Sequence, residues 1–137
     1  MTTIAYDSKT LAADTRFMEG HHSYGFMHKI WRLPHGGVMA FAGSVGLAAI
    51  VKEALLKKNY NPKTLTKKQL TQIDALILDP NGQPFYLNGD SGTFLPVEDI
   101  FCTFGSGGDI AMGALRSGLG SVEAVKFASR AHVTTND

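Results

Sequence analysis

The amino-terminal residues 2–16 read TTIAYDSKTLAADTR. Within them, two short runs, 3–7 and 10–14, flank the polar pair Ser8-Lys9. Short runs of branched, aromatic and small apolar side chains favour strands, and a polar break between two of them is typical of a hairpin turn. The chain is therefore predicted to begin with a β-hairpin almost at its first residue.

Several further strands are predicted downstream of this hairpin. Apolar patterning places them at 29–33, 38–42, 73–78, 85–87 and 100–104. The stretch 15–28 shows no clear period, so no element is predicted there.

Apolar residues at helical spacing predict helices between these strands. One helix of about four turns begins after Ser44, and two more are expected at 110–117 and 122–131, the last capped by Ser121. The polar stretch 61–71 allows at most a short helix. Strands, a helix, strands and a pair of helices in this order favour an α+β fold over a parallel βαβ sheet.

Length and composition indicate one folded domain over residues 1–137. Hydrophobic residues make up 44% and charged residues 18%, which excludes a disordered tail, a collagen-like repeat and a simple coiled coil. The net charge of +1 provides no overall field toward nucleic acid or anionic lipid, so neither is expected as a partner. The basic residues between 52 and 68 are interpreted as a solvated helix end and loop.

Cys102 is the one cysteine of the sequence, so the chain cannot form an internal disulfide. A lone thiol fits a reducing compartment. No stretch approaches the roughly 20 apolar residues of a membrane helix, and the first residues lack the order of a signal peptide. A cytoplasmic protein is predicted.

The residues at the start of the chain carry candidate chemistry. Because Thr2 is small, Met1 is expected to be removed, which leaves Thr2 with a free α-amine beside its own hydroxyl. An α-amine has a pKa of about 7.7–8.0, so a usable neutral fraction exists near neutral pH to take the hydroxyl proton. A threonine hydroxyl activated by its own amine is a known nucleophile. The same residues also fit the plain start of a strand.

Four patches of the sequence form a recognisable pattern. In chain order they are Thr2-Thr3-Ile4, Ala12-Ala13-Asp14-Thr15-Arg16, Lys29 in Lys-Ile-Trp-Arg-Leu with Phe41-Ala42-Gly43-Ser44 after it, and Gly105-Ser106-Gly107-Gly108. In their order and approximate spacing, over nearly the whole chain, the sequence resembles the proteasome β-subunit and bacterial HslV peptidase family. This family is the N-terminal-threonine branch of the N-terminal-nucleophile (Ntn) hydrolases.

The resemblance implies that Thr2 is the nucleophile and that Asp14 holds and orients Lys29 close to the threonine hydroxyl. An ammonium beside the α-amine and the hydroxyl lowers the pKa of both, which favours the neutral amine and stabilises a developing alkoxide. Without the resemblance, Asp14 fits a turn carboxylate at a strand end and Lys29 fits a surface lysine.

The resemblance also assigns roles at the junction of a strand with a helix. Gly43 aligns with the glycine whose N–H is an oxyanion-hole donor, and N–H groups at a helix amino terminus are unpaired and face the positive end of the dipole. Losing one such donor typically lowers the rate about a hundredfold or more. Phe41 and Val45 align with residues lining the pocket for the side chain before the scissile bond, although both also fit a core.

A second junction of this kind contains Ser106. The resemblance places this serine beside the threonine amine, where its hydroxyl relays a proton. A phosphate cradle is the rival interpretation, but the run lacks the third glycine of a dinucleotide fingerprint and the Lys-Ser/Thr of a P-loop, and Asp109 would repel phosphate. A plain turn before a helix stays open.

The sequence departs from the family in two places. Relatives usually carry a long second helix where 61–71 allows a short one, and in HslV this face meets the ATPase, so the case for an ATPase partner is weak. Relatives also continue beyond Asn136-Asp137 into closing strands. The alignment puts His132 and Thr135 where proteasome subunits have an Asp and a Ser that support the threonine, and a neighbouring subunit is a candidate cover for the sheet edge.

The histidines His21, His22 and His28 lack a settled element to converge their rings and a carboxylate pair to complete a site, so no metal and no cofactor is expected. The predicted fold is a four-layer αββα sandwich of two antiparallel sheets, shortened at its second helix and C-terminus. The predicted function is a threonine-type peptidase subunit that hydrolyses unfolded or short polypeptides inside a homo-oligomeric ring. The alternatives are a non-catalytic structural subunit and an Ntn amidohydrolase acting on a small amide.

Overall fold

The structure is a computed structural model that describes residues 2–19, 22–26 and 28–135. For 16–19, 22–26 and 132–135 it describes the main chain alone. The chain divides into two compact units, the first made of Met1–Lys29 with Asp99–Asp137 and the second of Ile30–Glu98. The single domain expected over 1–137 stays a prediction.

The first unit contains a three-stranded antiparallel sheet. Strands β1 (Ile4–Tyr6) and β2 (Leu11–Ala13) form the predicted amino-terminal hairpin, and β10 (Cys102–Phe104) pairs with the other side of β1. Because both pairings are antiparallel, the start of β1 lies beside the end of β2 and the end of β10. The residues before β1 therefore lie between the residues that follow its two neighbours, and this places the site described below.

A two-stranded ladder in the same unit joins β3 (Arg16–Glu19) to β4 (His22–Phe26). The pairing is antiparallel and changes register between Phe17 and Met18. No element was predicted in this stretch, because a bulge interrupts the alternation from which a strand is recognised.

Two helices pack on the three-stranded sheet, α3 (Gly108–Arg116) and α4 (Ser121–Thr135). Small residues at the contact let helices and strands approach closely. The buried cluster consists of Ala5, Ala12, Ala111, Ala114, Leu115, Ala124, Val125 and Ala128.

The carboxylate of Asp7, at the end of β1, holds the start of α4. Its Oδ2 accepts the Ser121 N–H at 2.9 Å, and its Oδ1 accepts the N–H groups of Lys9 at 2.9 Å and Thr10 at 2.7 Å. Burial by itself raises the pKa of the Asp7 carboxyl, but these hydrogen bonds outweigh it and the pKa lies below its ordinary value. The prediction that Ser121 is the cap was wrong, since Ser121 is the first helical residue and Asp7 is its acceptor.

The second unit contains a five-stranded antiparallel sheet with its strands in chain order. The strands are β5 (Ile30–Arg32), β6 (Val38–Gly43), β7 (Ile73–Leu78), β8 (Pro84–Leu87) and β9 (Phe94–Pro96). Helix α1 (Val45–Leu56) packs on β6 and β7, and α2 (Lys67–Leu70) packs on β7. The second helix has four residues, as the polar sequence of this stretch predicted.

The antiparallel sheets and packed helices confirm the predicted α+β class. Helices α3 and α4 begin one or two residues earlier than predicted, and α4 extends to Thr135. Strand β9 was not predicted, because its three residues end in a proline and show too little alternation. Over the described residues, no helix combines the length and apolarity needed to cross a membrane.

Candidate active site

Thr2 is held through its main chain by the turn between β10 and α3. The Thr2 N–H donates to Ser106 Oγ at 3.2 Å, and the Thr2 carbonyl oxygen accepts the Gly107 N–H at 3.2 Å. The Ser106 hydroxyl also lies 3.4 Å from that carbonyl oxygen. The two polar main-chain atoms of Thr2 are thus both engaged by residues 104 and 105 positions away in the sequence.

Thr3, the next residue, is joined to Asp14. The Asp14 N–H donates to the Thr3 carbonyl oxygen at 3.1 Å, and the Thr3 N–H donates to Asp14 Oδ1 at 2.7 Å. The carboxylate thus acts as acceptor one residue beyond the paired positions Ile4 and Ala13. This contact fixes the Asp14 side chain against the start of β1.

The second oxygen of the same carboxylate binds a lysine. Lys29 Nζ lies 2.9 Å from Asp14 Oδ2, and the exposed fractions of the side chains are 4% for Lys29 and 8% for Asp14. The attraction between two opposite charges is stronger where the surrounding dielectric constant is low. Removal of each charge from water costs free energy, and the attraction to the other charge offsets that cost. The ion pair predicted between these residues is therefore present and buried. Asp14 also binds the main chain of Thr3, the residue that follows Thr2.

Two glycines of the turn give the main chain its close approach to the amino terminus. Gly105 has a φ of +89°, and a Cβ built on it would overlap the Thr2 carbonyl oxygen. A Cβ on Gly107 would overlap Thr3 Oγ1. No separate role was assigned to either glycine from the sequence. Their position on both sides of Ser106 was the one feature of the sequence that could have indicated such a role.

Gly43, the predicted oxyanion donor, lies in the second unit at the junction of β6 with α1. Its φ is +98°, and a Cβ there would overlap the carbonyl oxygen of Gln72. The Ser44 N–H donates to that same oxygen at 2.9 Å, and Ser44 Oγ accepts the Leu47 N–H at 3.2 Å as the predicted N-cap of α1. Both the left-handed backbone and the close contact require glycine at this junction.

Phe41 and Val45, the predicted pocket residues, lie on either side of this junction. Phe41 is 2% exposed, and its ring centroid lies 4.5 Å from that of Trp31. Lys52 Nζ lies 5.0 Å from the centroid of the Trp31 ring, within the range of a cation–π contact. Val45 is half-buried and is the first residue of α1. Burial of Phe41 fits both interpretations given to it, a pocket wall and a core residue.

Four of the predicted site residues therefore belong to the first unit and are linked there: Thr2 with Ser106, and Asp14 with Lys29. Gly43, Phe41 and Val45 belong to the second unit. His21 and the side chains of His22, His132 and Thr135 lie outside the described residues.

The fold is similar to that of a solved structure. Eukaryotic HslV from Trypanosoma brucei matches with a TM-score of 0.66 over 93% of this chain and 88% of that chain, at 19% sequence identity. The chain matches no protein-family model and no curated protein sequence. The likeness confirms the predicted HslV-like fold.

Proposed function

We infer that this protein is a threonine peptidase subunit of the proteasome and HslV type, with Thr2 as its nucleophile once Met1 is removed. The observation that carries the inference is the placement of Thr2. Its main chain is held by Ser106 and Gly107, and its neighbour Thr3 is bound to the buried pair of Asp14 and Lys29. A strand start without a chemical role has no need of a buried charge beside it.

The proposed reaction begins with transfer of the Thr2 hydroxyl proton to the neutral α-amine of the same residue. The Oγ then attacks the carbonyl carbon of a peptide bond, and the carbonyl oxygen takes up negative charge. The amine gives its proton to the leaving nitrogen as the C–N bond breaks, which leaves an ester between Thr2 and the acyl group. The same amine next deprotonates a water, whose oxygen attacks the carbonyl carbon of the ester. As the bond between that carbon and Thr2 Oγ breaks, the protonated amine returns the proton to Oγ, which regenerates Thr2, and the carboxylic acid product loses its own proton to solvent.

Lys29 stabilises the developing alkoxide and lowers the pKa of the α-amine through its positive charge, and Asp14 orients it. Ser106 is bound to the nitrogen that becomes the amine, so its hydroxyl is proposed to relay the proton. The Gly43 N–H is the proposed oxyanion donor, and Phe41 and Val45 are proposed to line the pocket for the substrate side chain.

The proposed working form is a homo-oligomeric ring that encloses the active sites, because an exposed threonine nucleophile would cleave indiscriminately. Unfolded or short polypeptides are the proposed substrates, since folded chains do not enter such a chamber. The cytoplasmic location stays a prediction, and an ATPase partner has only the family likeness behind it.

The experiment combines intact-mass measurement, a peptide epoxyketone and light scattering. The epoxyketone needs both the hydroxyl and the amine of one amino-terminal threonine in order to form its ring adduct. We expect loss of Met1, one adduct per chain on Thr2, hydrolysis of unfolded casein, and a particle many times 14.8 kDa. Thr2→Ala should abolish hydrolysis and adduct formation with the fold intact, while Thr10→Ala, a matched change at an exposed threonine, should leave both in place.

The other outcomes separate the alternatives. A retained Met1 with a ring of normal size identifies a non-catalytic structural subunit. Adduct formation without casein hydrolysis and without a ring identifies a small-amide hydrolase. Peptide hydrolysis by Thr2→Ala at the wild-type rate would refute the mechanism.

A further inference from the structure

The turn 105–107 forms hydrogen bonds with two main-chain atoms of Thr2, which lie on opposite sides of its Cα. Ser106 Oγ accepts the Thr2 N–H, and the Gly107 N–H donates to the Thr2 carbonyl oxygen, both at 3.2 Å. A residue fixed at its nitrogen and its carbonyl oxygen has little rotational freedom about its main chain. Any shift of the turn is therefore passed directly to Thr2.

Gly107 is a glycine for reasons of space. Its φ of −93° is open to every residue type, so backbone freedom does not explain it. A Cβ there would overlap Thr3 Oγ1, would come within 3.2 Å of Thr3 Cβ, and would lie 3.4 Å from Ala128 Cβ. The absence of a side chain is what lets the turn close on residues 2 and 3.

Thr3 transmits this contact to the charged pair. Its side chain is completely buried, and its Oγ1 has no hydrogen-bond partner among the described residues, so packing against Gly107 rather than hydrogen bonding sets its position. Its N–H binds Asp14 Oδ1. A displaced Thr3 would thus move the start of β1 relative to both Ser106 and Asp14.

Gly105 closes the turn from the other side. Its φ of +89° disfavours a side chain, and a Cβ built there would overlap the Thr2 carbonyl oxygen and come within 2.8 Å of the Thr2 carbonyl carbon. We propose that Gly105 and Gly107 are positioning residues that set the Thr2 amine and hydroxyl for reaction. This assignment rests on the proposed function of Thr2, and it gives the two glycines a role beyond that of a turn.

The chain offers a matched control for each glycine. Gly118 has a φ of +100°, and a methyl group added there would have no atom within 4 Å, so Gly118→Ala carries the backbone strain of Gly105→Ala without the contact. Gly113, on α3, also has nothing within 4 Å, and Gly113→Ala is the control for Gly107→Ala. Both controls belong to the same unit as the turn.

The decisive comparison is a double-mutant cycle between Thr3→Ala and Gly107→Ala. Removal of Thr3 Oγ1 makes room for the new methyl group, so Gly107→Ala should lower the rate less in the Thr3→Ala background than in the wild type. The rate is that of Thr2 modification by the peptide epoxyketone, with kcat and KM for casein measured beside it. Circular dichroism reports the fold, and where Gly107→Ala fails to fold, the double variant is compared with Thr3→Ala.

We expect Gly105→Ala and Gly107→Ala to lower kcat and the modification rate about a hundredfold with KM nearly unchanged, since misplacement of about 1 Å costs that much. The control variants should stay within about twofold of the wild type. Wild-type rates in both turn variants, equal losses in the controls, or an unchanged cost of Gly107→Ala in the Thr3→Ala background would overturn the assignment while the proposed function stands.

Titration of the Thr2 amine by NMR distinguishes failure of the positioning assignment from failure of the proposed function. If the wild type has lost Met1 but shows no hydrolysis and no adduct, the proposed function fails, yet the titration still reports the geometry. A retained Met1 leaves Thr2 without a free amine and overturns the assignment together with the proposed function. We then expect the pKa of the amine to move in both turn variants toward the free value of about 7.7–8.0 and to stay at the wild-type value in the controls. Identical titration in all variants rejects the positioning role.

Discussion

Lys29 Nζ lies 2.9 Å from Asp14 Oδ2, with 4% and 8% of the two side chains exposed. The other oxygen of the same carboxylate accepts the Thr3 N–H at 2.7 Å. A single carboxylate therefore joins a buried cation to the residue that follows the proposed nucleophile. This carboxylate is expected to contribute both to the stability of the fold and to the proposed chemistry. Substitutions should therefore change the free energy of unfolding and the reactivity of Thr2 to different extents.

Removal of the charge of Asp14 should destabilise the protein strongly. Asp14→Asn keeps the shape of the side chain but removes the carboxylate that pairs with Lys29, and breaking a buried pair from one side costs about 3–5 kcal/mol. Urea unfolding measures the free energy. Glu123→Gln, which breaks an exposed pair with Lys126, should cost less than about 1 kcal/mol. Equal losses in the two variants would contradict the burial of the pair.

Replacement of both charges should separate stability from reactivity. In Lys29→Met with Asp14→Asn, neither charge is left buried, so the double variant should recover part of the stability that Asp14→Asn loses. Its Thr2 should still react with the epoxyketone at least about a hundredfold more slowly than in the wild type, because the cation proposed to lower the pKa of the amine is gone. Reactivity that recovers together with stability would mean that Lys29 has a purely structural role.

Gly43→Ala should destabilise the second unit more than a positive φ alone explains. A Cβ at Gly43 would overlap the Gln72 carbonyl, which also binds the Ser44 N–H, so the change adds a clash to the backbone strain. We expect a loss of about 2–4 kcal/mol, against about 1 kcal/mol for Gly82→Ala, whose φ of +82° is similar but whose surroundings are open. Thermal and urea unfolding measure both. A similar loss in the two variants would show that the Gln72 contact is relaxed at little cost.

Local patterning was enough to predict the elements whose side chains alternate or repeat. The hairpin of β1 and β2, the pair of β5 and β6, and the helix capped by Ser44 all follow from residues close together in the sequence. The ladder of β3 and β4 and the short strand β9 do not, because a bulge and a proline remove the alternation.

Contacts between residues that are distant in the sequence were predicted only through the family resemblance, or were not predicted. The resemblance placed Ser106 beside Thr2 across 104 positions, and nothing local to either residue indicates that contact. The overlap that excludes a side chain at Gly107 depends on Thr3, and the acceptor of the Ser121 N–H is the distant Asp7. The first two contacts are set by the antiparallel order of β10, β1 and β2, and the third by the packing of α4 on β1 and β2; both arrangements exist only in the folded chain.

The carboxylate of Asp7 should make part of the stability dependent on pH. Its pKa is lowered in the folded state, so its contribution is fully present above the unfolded value of about 3.9 and is lost as the pH falls through the lower folded value. Asn at this position offers one acceptor oxygen in place of two, and cannot serve both the turn at Lys9 and the start of α4. Asp7→Asn should therefore cost about 1 kcal/mol at pH 7, in line with the loss of a helix cap.

Urea unfolding of wild type and Asp7→Asn between pH 7 and pH 2.5 tests this dependence. The difference between them should be constant down to about pH 4 and shrink below it, because protonation takes from the wild type the acceptor that the variant already lacks. Asp90→Asn, a change at an exposed turn residue, is the control and should differ little from the wild type at every pH. If the difference in the free energy of unfolding between wild type and Asp7→Asn were unchanged at pH 2.5, the shape of the Asp7 side chain and not its charge would hold the start of α4.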